Sequence, residues 1–84
     1  MAAKVEFYFK PTCPYCIKAR KLLEGKGVTL IEYNVADHPE LRPEMEARSK
    51  RTTVPQIFID GKHIGGCDEL HAQDAEGKID ILLK

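Results

Sequence analysis

Cys13 and Cys16 are the side chains of this sequence best suited to chemistry, and they stand in the stretch KPTCPYC, residues 10–16. A thiolate is both a nucleophile and a metal ligand, so this spacing is typical of a redox dithiol, a structural disulfide or half of a metal site. Two intervening residues at the start of a helix bring the two Cβ atoms within disulfide range. The pattern therefore predicts a bridge that opens and closes with little backbone movement.

The two sulfurs are predicted to differ in reactivity because they occupy different positions relative to that helix. Cys13 falls between a strand and the helix, where unpaired backbone N–H groups and the positive end of the helix dipole stabilise an anion. Lys10 adds a positive charge nearby, and Pro14 suits the first helical position because its missing N–H costs no hydrogen bond there. Cys16 lies inside the first turn and faces the body of the protein. We predict Cys13 as the attacking thiolate and Cys16 as the resolving thiol.

His63 and the third cysteine, Cys67, raise the alternative of a zinc site. Together with Cys13 and Cys16 they would form a Cys₃His set of ligands. Structural zinc sites usually carry two short-spaced ligand pairs, and His-x-x-x-Cys is a poor second pair, so the redox interpretation is favoured. Three cysteines are also too few, and odd in number, for the disulfide framework of a secreted mini-protein.

Hydrophobic patterning predicts the elements that position the two cysteines. The aromatic and β-branched run Val5–Phe9 predicts a buried strand that leads to Cys13. Apolar residues at helical spacing predict a helix over Pro14–Gly25, and a second strand is predicted over 28–35. The cysteines are therefore expected at a junction between a strand and a helix.

A second helix is predicted to run toward Lys50. Asp37 with Glu40 three residues later resembles a capping box that opens this helix. Pro43 conflicts with a continuous helix, because a proline beyond the first turn removes a backbone hydrogen bond and crowds the preceding turn. The helix is expected either to start at Pro43 or to be kinked there.

The remaining third of the chain predicts a hairpin followed by two helices. Residues 56–60 and 62–66 are strand-like and meet at an Asp-Gly dipeptide, which favours a two-residue type I′ turn. Asp68 is expected to cap a helix over 69–76. The tail, 78–84, is apolar on one side and predicts a short helix that covers the sheet.

This order of elements, β-α-β-α-β-β-α, predicts an α/β fold with a central four-stranded mixed β-sheet flanked by helices. The first two strands are expected to be parallel through a right-handed crossover. The chain has 84 residues without a repeat or linker, so it is expected to form a single domain, 1–84. A Cys-x-x-Cys next to a βαβ unit is the thioredoxin-like redox signature.

Composition excludes several other classes of function. Thirteen basic and thirteen acidic side chains cancel, so no nucleic acid or anionic membrane is expected as a partner. Lys4 and Glu6 interrupt the segment where a signal peptide would need its apolar stretch. We therefore expect a cytoplasmic protein.

The stretch CPYC, followed by TTVPQIFIDGKHIGGCDEL, resembles a glutaredoxin of the dithiol type, and the likeness spans nearly the whole chain. The motifs CPYC, TVP and GGCD occur in that family's order and at suitable distances. The resemblance implies a thioredoxin-like fold and a glutathione-dependent thiol–disulfide oxidoreductase that reduces protein disulfides and glutathione mixed disulfides. It implies no permanently bound cofactor, with glutathione as the reductant. Its implied protein partners are disulfide or glutathionylated proteins, ribonucleotide reductase among the candidates, and a monomer is expected.

The resemblance also implies a glutathione-binding site. In that family Pro55 would be a cis proline that faces the active-site disulfide, and the Val54 backbone would pair with the cysteinyl part of glutathione like an added strand. Asp68 would cap a helix and pair with the α-amino group of the ligand, whose carboxylate would sit at the helix N-terminus. Lys10 would meet the glycyl carboxylate. The whole implied set is Lys10, Tyr15, Thr53, Val54, Pro55, Gly66, Cys67 and Asp68.

The sequence leaves alternatives for a few site residues and for the function. Arg51 and Gln56 flank TVP and are further candidates for the glycyl carboxylate. Cys67 is interpreted as an accessory, oxidation-prone thiol. One rival is a metal module that holds an iron–sulfur cluster or zinc, against which Pro14 counts because cluster-binding members of the family mostly lack this proline. The other is a redoxin reduced by thioredoxin reductase, against which the GGCD motif counts.

Overall fold

A computed structural model describes residues 3–83 of the chain. The order of its elements confirms the predicted fold. They are β1 (Val5–Phe9), α1 (Pro14–Gly25), β2 (Leu30–Asn34), a 3₁₀ helix (Pro39–Leu41), α2 (Arg42–Ser49), β3 (Gln56–Ile59), β4 (Lys62–Gly65), α3 (Cys67–Ala75) and α4 (Lys78–Leu82). The last residue of the predicted tail helix, Lys84, lies outside the described residues, as do Met1 and Ala2.

The four strands form one mixed sheet in the order β2-β1-β3-β4. β1 pairs in parallel with β2 through the α1 connection, and antiparallel with β3. β3 and β4 form an antiparallel hairpin. β1 therefore occupies the middle of the sheet, and its carboxyl end delivers the chain directly to the cysteine pair.

Both faces of the sheet are covered, because successive residues of the central strands point to opposite sides. On one face the strands pack against α1, α3 and α4, with Val5, Phe7, Ile57, Ile59, Ala19, Leu23, Leu70 and Ile79 among the buried residues. On the other face Tyr8 and Phe58 pack against Met45 of α2 and against Val35. The cysteine-bearing helix α1 thus rests on the larger of the two cores.

α1 has the predicted bounds, whereas each hairpin strand is one residue shorter than predicted, and β2 is also shorter than predicted. Asp60 and Gly61 both have positive φ, 51° and 83°, which confirms the type I′ turn. β2 covers Leu30–Asn34 instead of 28–35. It is an edge strand whose register with β1 ends at Asn34, after which the Val35 N–H still donates to the Phe9 carbonyl oxygen at 3.0 Å.

The start of the second helix corrects one prediction and decides another. The proposed cap at Asp37 is wrong, because the side-chain oxygen Oδ1 of Asn34 accepts the Ala36 and Asp37 N–H groups and holds this segment in a turn. α2 begins at Arg42, so Pro43 lies in its first turn, where a missing N–H leaves no helical hydrogen bond unmade. The proline therefore sets the start of the helix.

A partly buried ion pair, which local sequence patterns do not reveal, connects α2 to the sheet. Arg48 donates to both carboxylate oxygens of Glu6 on β1, each at 2.9 Å, and to the Tyr8 hydroxyl at 2.8 Å. Tyr33 donates to the same carboxylate at 3.0 Å. The hydrogen bond from Arg48 is the main reason that the pKa of Glu6 lies below its ordinary value of 4.5.

Among residues 3–83, none of the helices is both long and apolar enough to cross a membrane.

Candidate active site

Cys13 occupies the N-cap position of α1, with the extended backbone angles φ −82° and ψ 116°. Its Sγ accepts a hydrogen bond from the Cys16 backbone N–H at 3.4 Å. Its own N–H donates to the Lys10 carbonyl oxygen at 3.2 Å, which closes the turn between β1 and α1. The Cys16 N–H, in the first turn of α1, therefore points toward this sulfur, and the positive end of a helix stabilises an anion.

Cys16 lies one helical turn further on and is only 2% exposed. Burial raises the pKa of its thiol to about 12, and the neighbouring Cys13 acts in the same direction, whereas a backbone hydrogen bond with Lys10 opposes them. Cys16 is therefore a protonated thiol at neutral pH. Cys13 is partly exposed, so the two sulfurs differ in accessibility as the sequence predicts.

The segment Thr53 to Pro55 faces the cysteine pair from the amino end of β3. The Val54–Pro55 peptide bond is cis, as the resemblance implied. The Cys13 thiol contacts the Val54 carbonyl oxygen at 4.0 Å. This contact brings the CPYC and TVP motifs together, although they are about 40 residues apart in sequence.

The amino end of α3 completes the site, and here the predicted role of Asp68 is wrong in one respect. The N-cap residue is Gly66, and the carboxylate of Glu69 accepts its N–H at 2.7 Å. Asp68 lies inside the first turn with its side chain exposed. The helix starts two residues earlier than predicted because Glu69, at the third helical position, caps the backbone in the way that a capping box does.

Gly65 and Gly66 allow this close arrangement. Gly65 has φ +123°, and a Cβ there would lie 2.7 Å from the Cβ of Glu69. A Cβ on Gly66 would lie 3.2 Å from the Pro55 carbonyl oxygen. The glycine pair thus lets the start of α3 approach the cis-proline segment closely.

A groove of about 290 Å³ runs between these elements. Arg51, from the loop before TVP, pairs with Glu69 across it. Seven of the lining residues belong to the predicted site, and Arg51 was a further candidate. The lining consists of Tyr15, Arg51, Thr53, Val54, Pro55, Gly66, Cys67, Asp68 and Glu69. Glu69 is the addition; the spacing Gly-x-x-Glu before a helical run was the sequence signal for it.

Two other candidates lie outside this lining. Lys10 is exposed at the end of β1, next to the cysteine turn. Gln56 is 0% exposed, so the expectation that it meets a glycyl carboxylate in the groove is wrong. Its side chain points into the protein, because it begins β3 and its amide is hydrogen-bonded to Thr53 and His63.

Cys67 and His63 do not assemble with the cysteine pair into a metal centre. Cys67 is 5% exposed, lines the groove and has a pKa raised mainly by burial. The Nε2 atom of His63 lies 2.8 Å from the Gln56 side chain instead. Within residues 3–83, no group of three or more His, Cys, Asp or Glu side chains is arranged to hold a metal ion.

The fold and the site together define a class of protein. A Cys-x-x-Cys at the start of the first helix, opposite a cis proline that precedes a strand of a mixed sheet, is the arrangement of a thioredoxin-like thiol–disulfide oxidoreductase. The model of the glutaredoxin family matches residues 5–64 of this chain. The chain therefore belongs to the glutaredoxin family, whose members are glutathione-dependent thiol–disulfide oxidoreductases.

Relatives and solved structures agree with this assignment. The chain is 57% identical to glutaredoxin 3 of Escherichia coli K12 over 82 residues, which cover 98% of this chain and 99% of the relative. The dithiolic glutaredoxin 2-C-Grx1 of Trypanosoma brucei brucei superposes with a TM-score of 0.87 at 42% identity, covering 98% of this chain and 88% of its own. A buckwheat glutaredoxin–glutathione complex gives a TM-score of 0.87 at 28% identity, with coverage of 96% and 76%.

Proposed function

We propose that this protein reduces protein disulfides and glutathione mixed disulfides, with Cys13 as the nucleophile and Cys16 as the resolving thiol. The observation that carries the proposal is the asymmetry of the pair. The Cys13 sulfur is partly exposed, accepts the Cys16 N–H and contacts the carbonyl oxygen of Val54, a residue that lines the groove. Cys16 is buried, and its pKa is raised to about 12. Of the two sulfurs, only that of Cys13 is therefore accessible to a substrate, and it lies at a helix N-terminus, where an anion is stabilised.

With a glutathionylated protein, the Cys13 thiolate attacks the glutathione sulfur of the mixed disulfide. A Cys13–glutathione disulfide forms, the original S–S bond breaks, and the released protein thiolate takes up a proton. The thiolate of a second glutathione then attacks the glutathione sulfur of this intermediate. Oxidised glutathione leaves, and the Cys13 thiolate is regenerated. Cys16 takes no part in this cycle.

With a protein disulfide, Cys13 attacks one substrate sulfur and the other leaves as a thiolate that is then protonated. Formation of the mixed disulfide removes the negative charge of Cys13, which had helped to raise the pKa of Cys16. Cys16 then loses its proton and attacks the Cys13 sulfur, which releases the second substrate thiol and forms a Cys13–Cys16 bridge. Two glutathiones reduce that bridge and leave as oxidised glutathione.

Glutathione is proposed to lie in the groove with its sulfur toward Cys13. The Val54 backbone would pair with the cysteinyl unit, with Thr53 and Pro55 beside it and Tyr15 as a side wall. The γ-glutamyl carboxylate would meet the N-terminus of α3 at Gly66 and Cys67, and Asp68 would bind the α-amino group. The exposed Asp68 carboxylate supports this orientation, and the glutathione complex of the buckwheat relative supports glutathione as the ligand. Lys10 or Arg51 would bind the glycyl carboxylate.

Serine replacement of each cysteine tests the assignment of Cys13 as the nucleophile and Cys16 as the resolving thiol. Each variant is the matched control for the other. Cys16→Ser is expected to retain most of its activity on a glutathionylated peptide and to lose reduction of a protein disulfide. Cys13→Ser is expected to lose both activities. The measurements are glutathione-coupled turnover with each substrate and mass spectrometry of the trapped adduct. Loss of both activities in Cys16→Ser, or of neither in Cys13→Ser, would contradict the assignment.

We further propose that residues 1–84 act as one domain and as a monomer in the cytoplasm, with ribonucleotide reductase among the candidate substrates. No metal is needed in either cycle. Protein that is free of metal by elemental analysis is therefore expected to show full activity. Activity that appears only after addition of iron and sulfide, or of zinc, would support the metal-module alternative, and preference for thioredoxin reductase over glutathione would support the redoxin alternative.

A further inference from the structure

Gln56 is a fully buried polar residue directly beneath the groove. It is the first residue of β3 and follows the cis-proline segment without an intervening residue. Its Nε2 atom donates to the Thr53 carbonyl oxygen at 2.9 Å and lies 3.3 Å from the Thr53 hydroxyl. Its Oε1 atom lies 2.8 Å from Nε2 of His63 on β4. A buried amide with every polar atom engaged is costly to replace, since its partners would lose their hydrogen bonds.

The orientation of the Gln56 amide follows from its partners. The opposite orientation would place Oε1 against the Thr53 carbonyl oxygen, with no proton between the two acceptors. Oε1 therefore faces His63, whose Nε2 carries the proton and donates it. His63 is itself held by packing on Phe58, with ring centroids 5.0 Å apart. The resulting chain of contacts runs from β4 through Gln56 to Thr53.

Thr53 to Pro55 need this support because they lie outside the described helices and strands. A backbone segment without ladder hydrogen bonds loses conformational freedom when a ligand pairs with it, and that loss weakens binding. The buried Gln56 amide holds Thr53 through its carbonyl oxygen and its hydroxyl. A segment held in place before the ligand arrives avoids much of this cost.

We propose that Gln56, oriented by His63, is a positioning residue that holds Thr53 to Pro55 in the conformation that pairs with glutathione. It touches neither the reacting sulfurs nor the groove surface. The inference rests on the proposed glutathione site. It assigns to the buried Gln56 a role in substrate specificity. Gln56 would increase the affinity for a glutathionylated substrate without changing the reactivity of Cys13.

The test compares Gln56→Met with Gln73→Met. Both replacements are close in shape and remove an amide that donates to a backbone carbonyl, but Gln73 donates to Ile64 at 3.1 Å and does not line the groove. Gln56→Met is expected to raise KM for a glutathionylated peptide by about fivefold to tenfold, since one ordinary net hydrogen bond corresponds to about fivefold. Its kcat, and the rate at which iodoacetamide alkylates Cys13, are expected to stay within about twofold of wild type. Gln73→Met is expected to leave KM unchanged.

A second variant keeps the test decisive if Gln56→Met does not fold. His63→Phe retains an aromatic ring on Phe58 and removes only the hydrogen bond to Gln56, so it is expected to raise KM by about twofold to threefold. The inference is overturned if folded Gln56→Met keeps the wild-type KM, if Gln73→Met shows the same rise, or if Gln56→Met fails to fold and His63→Phe keeps the wild-type KM. Wild-type protein that does not turn over glutathionylated peptide would instead overturn the proposed function, and the inference with it.

Discussion

At the scale of single residues, the two acidic residues at the N-terminus of α3, Asp68 and Glu69, make different contacts. Glu69 accepts the Gly66 N–H and pairs with Arg51, and these contacts hold the pKa of Glu69 below its ordinary value. Asp68 has no part in that cap and keeps an exposed carboxylate at the groove. The capping role expected of Asp68 therefore belongs to Glu69, whereas the Asp68 carboxylate is exposed at the groove.

Replacement of Asp68 by Asn tests the proposed pairing of Asp68 with the α-amino group of glutathione. The variant retains the shape and loses the charge that would pair with the α-amino group of glutathione, so KM for a glutathionylated peptide is expected to rise by about fivefold to tenfold. A glutathione analogue without the α-amino group should be turned over equally well by wild type and Asp68→Asn. Glu24→Gln, an exposed change on α1 away from the groove, is the control and should match wild type. An equal KM for Asp68→Asn and Glu24→Gln would disprove the role.

At the scale of elements, an ion pair between Glu6 and Arg48 helps to position α2 on the sheet, together with the packing of Met45. The Glu6 side chain is 6% exposed and that of Arg48 is 28% exposed, and the Arg48 guanidinium also lies 4.1 Å from the centre of the Phe58 ring. α2 leads directly into the loop that carries Arg51 and Thr53. The attachment of α2 therefore also supports one side of the groove.

Glu6→Gln is expected to destabilise the protein at pH 7 by roughly 2 to 3 kcal/mol, because it leaves Arg48 without its charged partner. The pKa of Glu6 is lowered in the folded protein, so the pair contributes fully above pH of about 4.5, and its contribution disappears as the pH falls through the folded pKa. Urea unfolding at pH 7, 5 and 3 should therefore show the gap between wild type and variant closing toward pH 3.

The matched control for Glu6 is Glu32, which pairs with Arg20 on the sheet edge with a side chain that is 39% exposed. Glu32→Gln should cost less than about 1 kcal/mol, because solvent screens exposed pairs. A gap for Glu6→Gln that is the same at pH 3 and pH 7, or a loss for Glu32→Gln of equal size, would refute the argument.

At the scale of the whole molecule, a chain this short has little apolar area to spare, and it divides that area between two faces of one sheet. α1 carries both cysteines and is held to the larger core by Ala19 and Leu23, which are 0% exposed. Ile81, on α4, is 65% exposed. The position of the site thus depends on a small number of buried contacts.

Leu23→Ala is expected to lower the free energy of unfolding by roughly 2 to 5 kcal/mol, a large share of the roughly 5 to 15 kcal/mol typical of a domain. Ile81→Ala, which removes nearly the same volume from the surface, should change it by less than about 0.5 kcal/mol. Urea denaturation of the reduced proteins measures both. Similar midpoints for the two variants would show that the core is organised differently.

The local sequence determined the elements and the chemistry of the cysteine pair. The bounds of β1 and α1, the Asp-Gly turn and the placement of Cys13 before Pro14 all follow from patterning, proline geometry and helix-end physics, which act over a few residues. The family resemblance also predicted most of the residues that line the groove, because the motifs CPYC, TVP and GGCD are specific in combination. It did not identify the cap at Glu69.

Only the tertiary structure decided the features that depend on residues distant in the chain. The fully buried state of Gln56, its hydrogen bonds to Thr53 and His63, and the pairing of Glu6 with Arg48, 42 residues away, arise when the strands align. Local patterns indicate the backbone conformation that a residue favours. Its burial and its side-chain partners arise only when the elements pack, and these determine its role in the folded protein.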